Sequence, residues 1–138
     1  MMSAKETLRR ILTLDALIED KKNEIERLAS MAAGLRSADY SERVQAPPRR
    51  DRIGDAVGEI IALENELAGD ISELMRLKRE VKNKIDRLPA PYCDILYQRY
   101  FAGHTWQTIA DNLNYSYQHI CRLHGTALVI YESLPETK

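Results

Sequence analysis

Apolar positions recur at helical spacing along most of the chain, and nowhere do they alternate as a half-buried strand would. In the first part, Ile11, Ile18, Ile25 and Ala32 repeat every seven residues. Leu14, Lys21, Leu28 and Leu35 do the same, offset by three. The two series make a heptad seam that one Lys weakens. Ser3, with Glu6 three residues on, supplies a capping box ahead of it. The pattern predicts a helix over 3–35, roughly 50 Å long at about 1.5 Å per residue. A second long helix is predicted over 53–87. Ile60, Leu67, Leu74, Val81 and Leu88 form one series, and Val57, Glu64, Ile71, Lys78 and Ile85 form the other. Leu63 and Leu77 add apolar surface beside that seam.

Between the two lies a polar run in which Pro47-Pro48 excludes a continuous helix. This linker, 37–52, is long for a helical connection, so it is expected to carry function or to lack fixed structure. The long helices most simply fold back as an antiparallel pair. A pair alone leaves apolar surface uncovered, and a second copy would complete a four-helix bundle, so a homodimer through the long helices is expected.

Leu88-Pro89-Ala90-Pro91 punctuates the chain and is expected to divide it into an assembly or partner arm, 1–88, and a three-helix unit, 89–138. A helix over 90–101 carries Ile95, Leu96, Arg99 and Tyr100 near or on its inner side, and Gly103 suits its C-terminal stop. The stretch TWQTIADNLNYSYQHICRL, from Thr105 to Leu123, then reads as two short helices joined by a tight turn. Thr105 and Ser116 are N-cap types. Ile109, Ala110 and Leu113 share one face, and Ile120 and Leu123 form an inward pair. Asn114 is among the few non-glycine residues that tolerate a left-handed conformation. Ala110 supplies the small side chain that two steeply crossing helices need where their backbones approach. This is the spacing of a helix-turn-helix, whose second helix enters the DNA major groove. The expected fold is therefore all-α: a long, coiled-coil-like N-terminal helical hairpin followed by a three-helix helix-turn-helix domain.

Composition changes this picture in three places. Of nine aromatic residues, only Tyr40 precedes residue 92, so a compact aromatic core belongs to the C-terminal part. The net charge is -1, which removes the basic balance usual for a DNA binder. From Pro89 onward, Arg99, Arg122 and Lys138 face Asp94, Asp111, Glu132 and Glu136. Positive charge gathers instead in 36–52, with five arginines against three acids, and at Arg76, Lys78, Arg79, Lys82, Lys84 and Arg87. The latter group reads first as a solvated helix face, with phosphate contact as the alternative. Arg49, Arg50 and Arg52 allow the same choice. Two cysteines, Cys93 and Cys121, make no disulfide framework, and a reduced, cytoplasmic setting is expected. No apolar run approaches the about 20 residues of a membrane span, and no signal peptide is evident.

The candidate DNA-binding residues follow from the motif. Tyr117, Gln118, Cys121 and Arg122 lie away from Ile120 and Leu123, with His119 at the edge and Ser116 at the start of the helix. Gln118 suits adenine and Arg122 suits guanine, each worth about 1–3 kcal/mol of discrimination. Thr105 and Gln107, at the start of the preceding helix, suit phosphate. Trp106 reads as half-buried packing. His119, Cys121 and His124 do not converge, and no second cluster completes a metal site. No Gly-rich phosphate loop, triad-like set or pocketed pair of carboxylates is present, so neither an enzyme nor a cofactor is expected.

LPAPYCDILYQRYFAGHTWQTIADNLNYSYQHICRLHGTAL resembles region 4 of sigma-70-type factors. The matching positions are Leu96, Arg99-Tyr100, Gly103, Ile109-Ala110, Leu113, Ser116 and Ala127-Leu128, over roughly 45 residues. The whole chain also resembles a group of small phage and prophage proteins that are sigma-70 region 4-like. The matches are Arg43-Val44-Gln45, Ile53-Gly54-Asp55, Leu77-Lys78-Arg79-Glu80, Tyr115-Ser116, His119 and Arg122-Leu123-His124-Gly125. The resemblance implies binding of double-stranded DNA and regulation of phage genes, with RNA polymerase as a further partner. It lacks the promoter-melting region of those factors, which argues against a self-sufficient sigma factor. Two rivals stand beside this reading: a polymerase-binding or other protein-interaction module that does not read DNA, and a DNA-packaging recognition subunit.

Overall fold

The structure is a computed structural model that describes residues 3–37 and 49–135. It is all-helical among those residues. The order is α1 (Ala4–Ser37), α2 (Arg49–Ile85), α3 (Tyr92–Leu96, running on as a π-helical turn over Tyr97–Phe101), α4 (Trp106–Leu113) and α5 (Tyr117–Ser133). No helix is long and apolar enough to cross a membrane among the described residues. Most of the expected linker lies outside the described residues, and α2 begins four residues earlier than the heptads alone suggest.

The start of α1 is built as its sequence predicts. The Ser3 N–H donates to Glu6 Oε2 at 2.9 Å, and the Glu6 N–H donates back to Ser3 Oγ at 3.2 Å. These two bonds satisfy two of the four amides that a helix start leaves without partners.

The chain divides into two compact units: Met1–Asp15 with Glu73–Lys138, and Ala16–Ser72. The first unit therefore takes in the start of α1 and the end of α2 as well as α3–α5, where sequence punctuation alone suggests a division after residue 88. Burial gives the reason. Leu8, Ile11 and Leu14 of α1, Val81 and Ile85 at the end of α2 and Leu88 just beyond it are buried, as are Ile95, Leu96, Tyr100 and Ile120. Lys84, also buried, lies 4.3 Å above the Tyr131 ring of α5 and so ties α2 to α5.

In the second unit, α1 and α2 run antiparallel. Lys21 donates to Asp70 at 2.6 Å, while Leu28 and Met31, further along α1, share a cleft with Arg52 and Ala56, further back on α2. The Lys that interrupts the heptad seam is thus met by a carboxylate, and its pKa is raised chiefly by that hydrogen bond. The inward series of α2 is not Val57, Glu64 and Ile71, which are exposed. Ala56, Leu63, Asp70 and Leu77 take that place beside Ile60, Leu67 and Leu74. Residues three before and three after Ile60 flank it on opposite sides, so a wide apolar arc offers two possible seams. The fold covers one of them. Val57, Ile61 and Ile71 remain on the uncovered side.

Within the first unit α3 and α4 both pack on α5. Ile95, Ile109, Ala110 and Ile120 form the shared core, with Trp106, Leu113 and Leu123 partly buried against it. The helix expected over 90–101 departs from α geometry in its second half, where the Ala102 N–H reaches the Tyr97 carbonyl at 3.0 Å. This i to i+5 bond widens the turn. Tyr97 and Phe101 then pair edge to face, with Lys82 and Lys78 of α2 over their rings. Tyr100 and Arg99 instead reach His124 and Trp106. Gly103, at φ 73°, ends the element.

Asn114 closes α4 at φ 61° and ψ 40°, and the Tyr115 N–H bonds the Ala110 carbonyl at 3.0 Å. A left-handed residue here turns the chain straight into the Ser116 cap. Asn114→Gly is expected to leave stability within about 0.5 kcal/mol of the parent, because glycine adopts this conformation freely. Asn114→Val is expected to cost about 1–3 kcal/mol. Urea unfolding of both variants checks this, and equal losses would mean that the turn is not set by its left-handed residue.

Candidate nucleic-acid interface

Two N-caps position the surface formed by α4 and α5. The Thr108 N–H donates to Thr105 Oγ1 at 3.1 Å, and the His119 N–H donates to Ser116 Oγ at 3.1 Å. Between them, Ala110 at 0% exposure lets α4 approach α5, and Ile109 and Ile120 are equally buried. This packing leaves Tyr117, Gln118, Cys121 and Arg122 exposed on α5. Arg122 makes no ion pair among the described residues, so its guanidinium is available. Ser116 keeps its hydroxyl hydrogen after accepting the capping bond. His119 is half-buried and stands edge to face against Tyr115, with ring centroids 4.9 Å apart.

At the start of α4 the donors are differently occupied. The Thr105 hydroxyl donates to Thr108 Oγ1 at 2.9 Å, and Gln107 Nε2 donates to Asp111 Oδ1 at 2.9 Å. Both would have to exchange an exposed internal bond for a phosphate, a nearly balanced exchange because each such bond is worth about 1 kcal/mol net. Trp106 packs, as its half-buried state requires. Its ring lies 4.5 Å from that of His124, and the Arg99 guanidinium stacks 4.5 Å from it on α3's side.

His124 is a residue that pattern reading passes over. Its Nε2 is 2.8 Å from the Tyr100 hydroxyl, which is buried and whose pKa burial pushes up. Burial, then the positive charges of Lys5, Arg99 and Arg9, push the His124 pKa down to about 4. The imidazole is therefore neutral at neutral pH, and the phenol can donate to it. The only sequence signal is the spacing Ile120–His124–Ala127–Tyr131, which puts a histidine in the buried stripe of α5.

The basic run on α2 is largely engaged inside the molecule. Arg76 pairs with Glu80 at 3.0 Å and Lys82 with Asp86 at 2.8 Å. Lys78 reaches Asp15 and the Phe101 ring, and Arg87 donates to the Pro135 carbonyl at 2.8 Å. These contacts favour the solvated-face reading of the run over phosphate contact. The Arg49 and Arg50 side chains lie outside the described residues, and Arg52 is half-buried on the cleft beside Leu28. Cys93 is half-buried, and burial raises its thiol pKa, which suits a packing residue.

Comparison with protein-family models, with curated proteins and with solved structures finds no match to this chain.

The depressed His124 pKa sets an expected pH dependence. In the unfolded chain this histidine takes up a proton near pH 6.5, whereas in the folded chain it does so only near pH 4. The unfolded state then binds more protons in that window, so stability is full above about pH 6.5 and falls as the pH drops toward 4. His124→Gln, which cannot titrate, is expected to flatten the melting temperature between pH 7 and 4.5 relative to the parent. Parallel curves for parent and variant would show that His124 is not buried as a neutral group.

Proposed function

We propose that this protein is a DNA-binding transcription regulator of phage or prophage type, reading double-stranded DNA through a sigma region 4-like helix-turn-helix. A long helical hairpin provides assembly. The observation that carries the reading is the geometry from Thr105 to Leu123. Two short helices, each with a side-chain N-cap, are joined through a left-handed Asn114 and cross over a fully buried Ala110. That crossing leaves the first two turns of α5 standing outward with a polar, hydrogen-bonding face. In a helix-turn-helix this is the part that reaches base edges. Tyr117, Gln118, Cys121 and Arg122 are the proposed base-reading set, with Ser116 and the start of α4 at the phosphates.

A homodimer is the proposed assembly. Its support is the uncovered apolar side of α2, where Val57, Ile61 and Ile71 are 38%, 53% and 39% exposed, with Leu17 and Met31 of α1 also exposed. Burying one such side chain fully is worth about 1.5–3 kcal/mol. Two copies would supply two reading helices, as an operator of two half-sites requires. A second reading, that the unit docks on RNA polymerase without reading DNA, is favoured by the near-neutral charge and by the exposed Val129 and Tyr115.

Selection of bound fragments from the source phage or prophage genome tests the first reading. Enrichment of one or a few promoter-proximal sites is expected, and Arg122→Ala should lower the preference for those sites by about tenfold or more. No enrichment at low or moderate salt, together with retention of RNA polymerase, would support the second reading instead. Sedimentation equilibrium tests the assembly. The parent is expected to sediment as a dimer and Ile61→Glu as a monomer with unchanged helix content. A parent that remains monomeric at working concentration would contradict it.

A further inference from the structure

Most of the conspicuously basic stretch of α2 is engaged within the molecule, Arg79 excepted, and further free positive charge of the first unit gathers elsewhere. Lys5 and Arg9, one turn apart on the first turns of α1, are both exposed, and neither makes an ion pair among the described residues. They line one cleft of about 260 Å³ together with Arg99, and its walls include Trp106, Cys121 and His124. None of the residues lining it is acidic. Arg99 is held in place by its stack on Trp106 and by one bond from Nη1 to the His104 carbonyl at 3.1 Å, which leaves other guanidinium donors unused. The convergence of the three cations is felt by His124, whose proton they help to repel.

We propose that this cleft binds a backbone phosphate of the same duplex that α5 reads, with Lys5, Arg9 and Arg99 as its cations. The inference rests on the DNA-binding reading above. Its placement comes from two shared residues. Cys121 belongs both to the outward face of α5 and to the cleft wall, and Trp106 is the first residue of α4. A duplex seated against α5 therefore passes one strand across the mouth of the cleft. Arg presents a planar fork suited to phosphate oxygens, and Lys adds a mobile point charge. The start of α1 thus supplies electrostatic attraction that α5, with Arg122 alone, lacks. Such contacts carry no sequence information and act through released counterions.

The test compares the full-length parent with Lys5→Gln/Arg9→Gln on an enriched genomic fragment and on an unrelated duplex, across a salt series. Loss of the one phosphate contact held by the cleft reduces the slope of log K against log salt by about 0.9, so a reduction approaching 1 is expected. Affinity should fall by the same factor on both duplexes, leaving their ratio unchanged. Arg79→Gln, which removes an exposed cation from α2, should leave the slope unchanged. Because Lys5 and Arg9 are exposed and unpaired, the thermal melt should not move. A double variant with the parent's slope would overturn the cleft assignment while leaving DNA reading by α5 intact, as would a change in the ratio between the two duplexes. A parent that binds neither duplex at low salt would overturn both.

Discussion

The crossing of α4 over α5 at Ala110 is the constraint on which the rest of the first unit depends. Ala110 presents only a methyl group in the shared core of these helices, where Ile95, Ile109 and Ile120 are buried with it at 0% exposure. Once the crossing is set, the chain between the helices has room for a single left-handed residue, and Asn114 takes it. The outward residues of α5 are then fixed in direction by those that must point inward. The proposed reading face is in this sense a by-product of the core, whose buried residues fix the direction in which the polar, weakly charged side of α5 points.

Charge is the second organising theme. The chain has a net charge of -1, and most of its clustered cations on α2 are matched by Glu80, Asp86 and Asp15 or laid over aromatic rings. Exposed pairs of this kind contribute little stability. They do remove those cations from competition for an outside anion. Cations without an ion pair among the described residues include Lys5 and Arg9 at the start of α1, Arg79 on α2, Arg99 beyond α3 and Arg122 on α5. Folding brings Lys5 and Arg9 together with Arg99 and Trp106, 90 or more positions away in sequence. Burial of His124 in a neutral form, hydrogen-bonded with Tyr100, fits the same field.

How much of this was legible in the sequence depended on whether a feature was local. Caps, the left-handed turn and the buried Ile–Ala pair are set by residues within a few positions of one another. Ser3 with Glu6, Thr105, Ser116, Asn114, Ile109 and Ala110 all appear in the structure as their spacing implies. On α2 and just beyond it, the series Ile60, Leu67, Leu74, Val81 and Leu88 turns inward as its spacing implies, as does Ile85 of the other series. Val57, Glu64 and Ile71 do not, because Val57 and Leu63 flank Ile60 symmetrically and helical periodicity alone cannot choose between them. The π-turn at Tyr97–Phe101 was missed because it answers to partners on two other helices, with no local signal of its own. The role proposed for Lys5 and Arg9 has no local signal either, and His124 shows only its place in the buried stripe of α5. Nothing in an exposed Lys–Arg pair at the start of a helix announces which surface it will meet.

The most direct measurement is the change in backbone amide resonances when a short DNA duplex is added at low salt. The largest changes are expected over 116–122 and at 105–107, with smaller ones at Lys5 and Arg9, all moving together with duplex concentration. Changes confined to the uncovered apolar side of α2, or none at any duplex concentration, would contradict the DNA-binding reading.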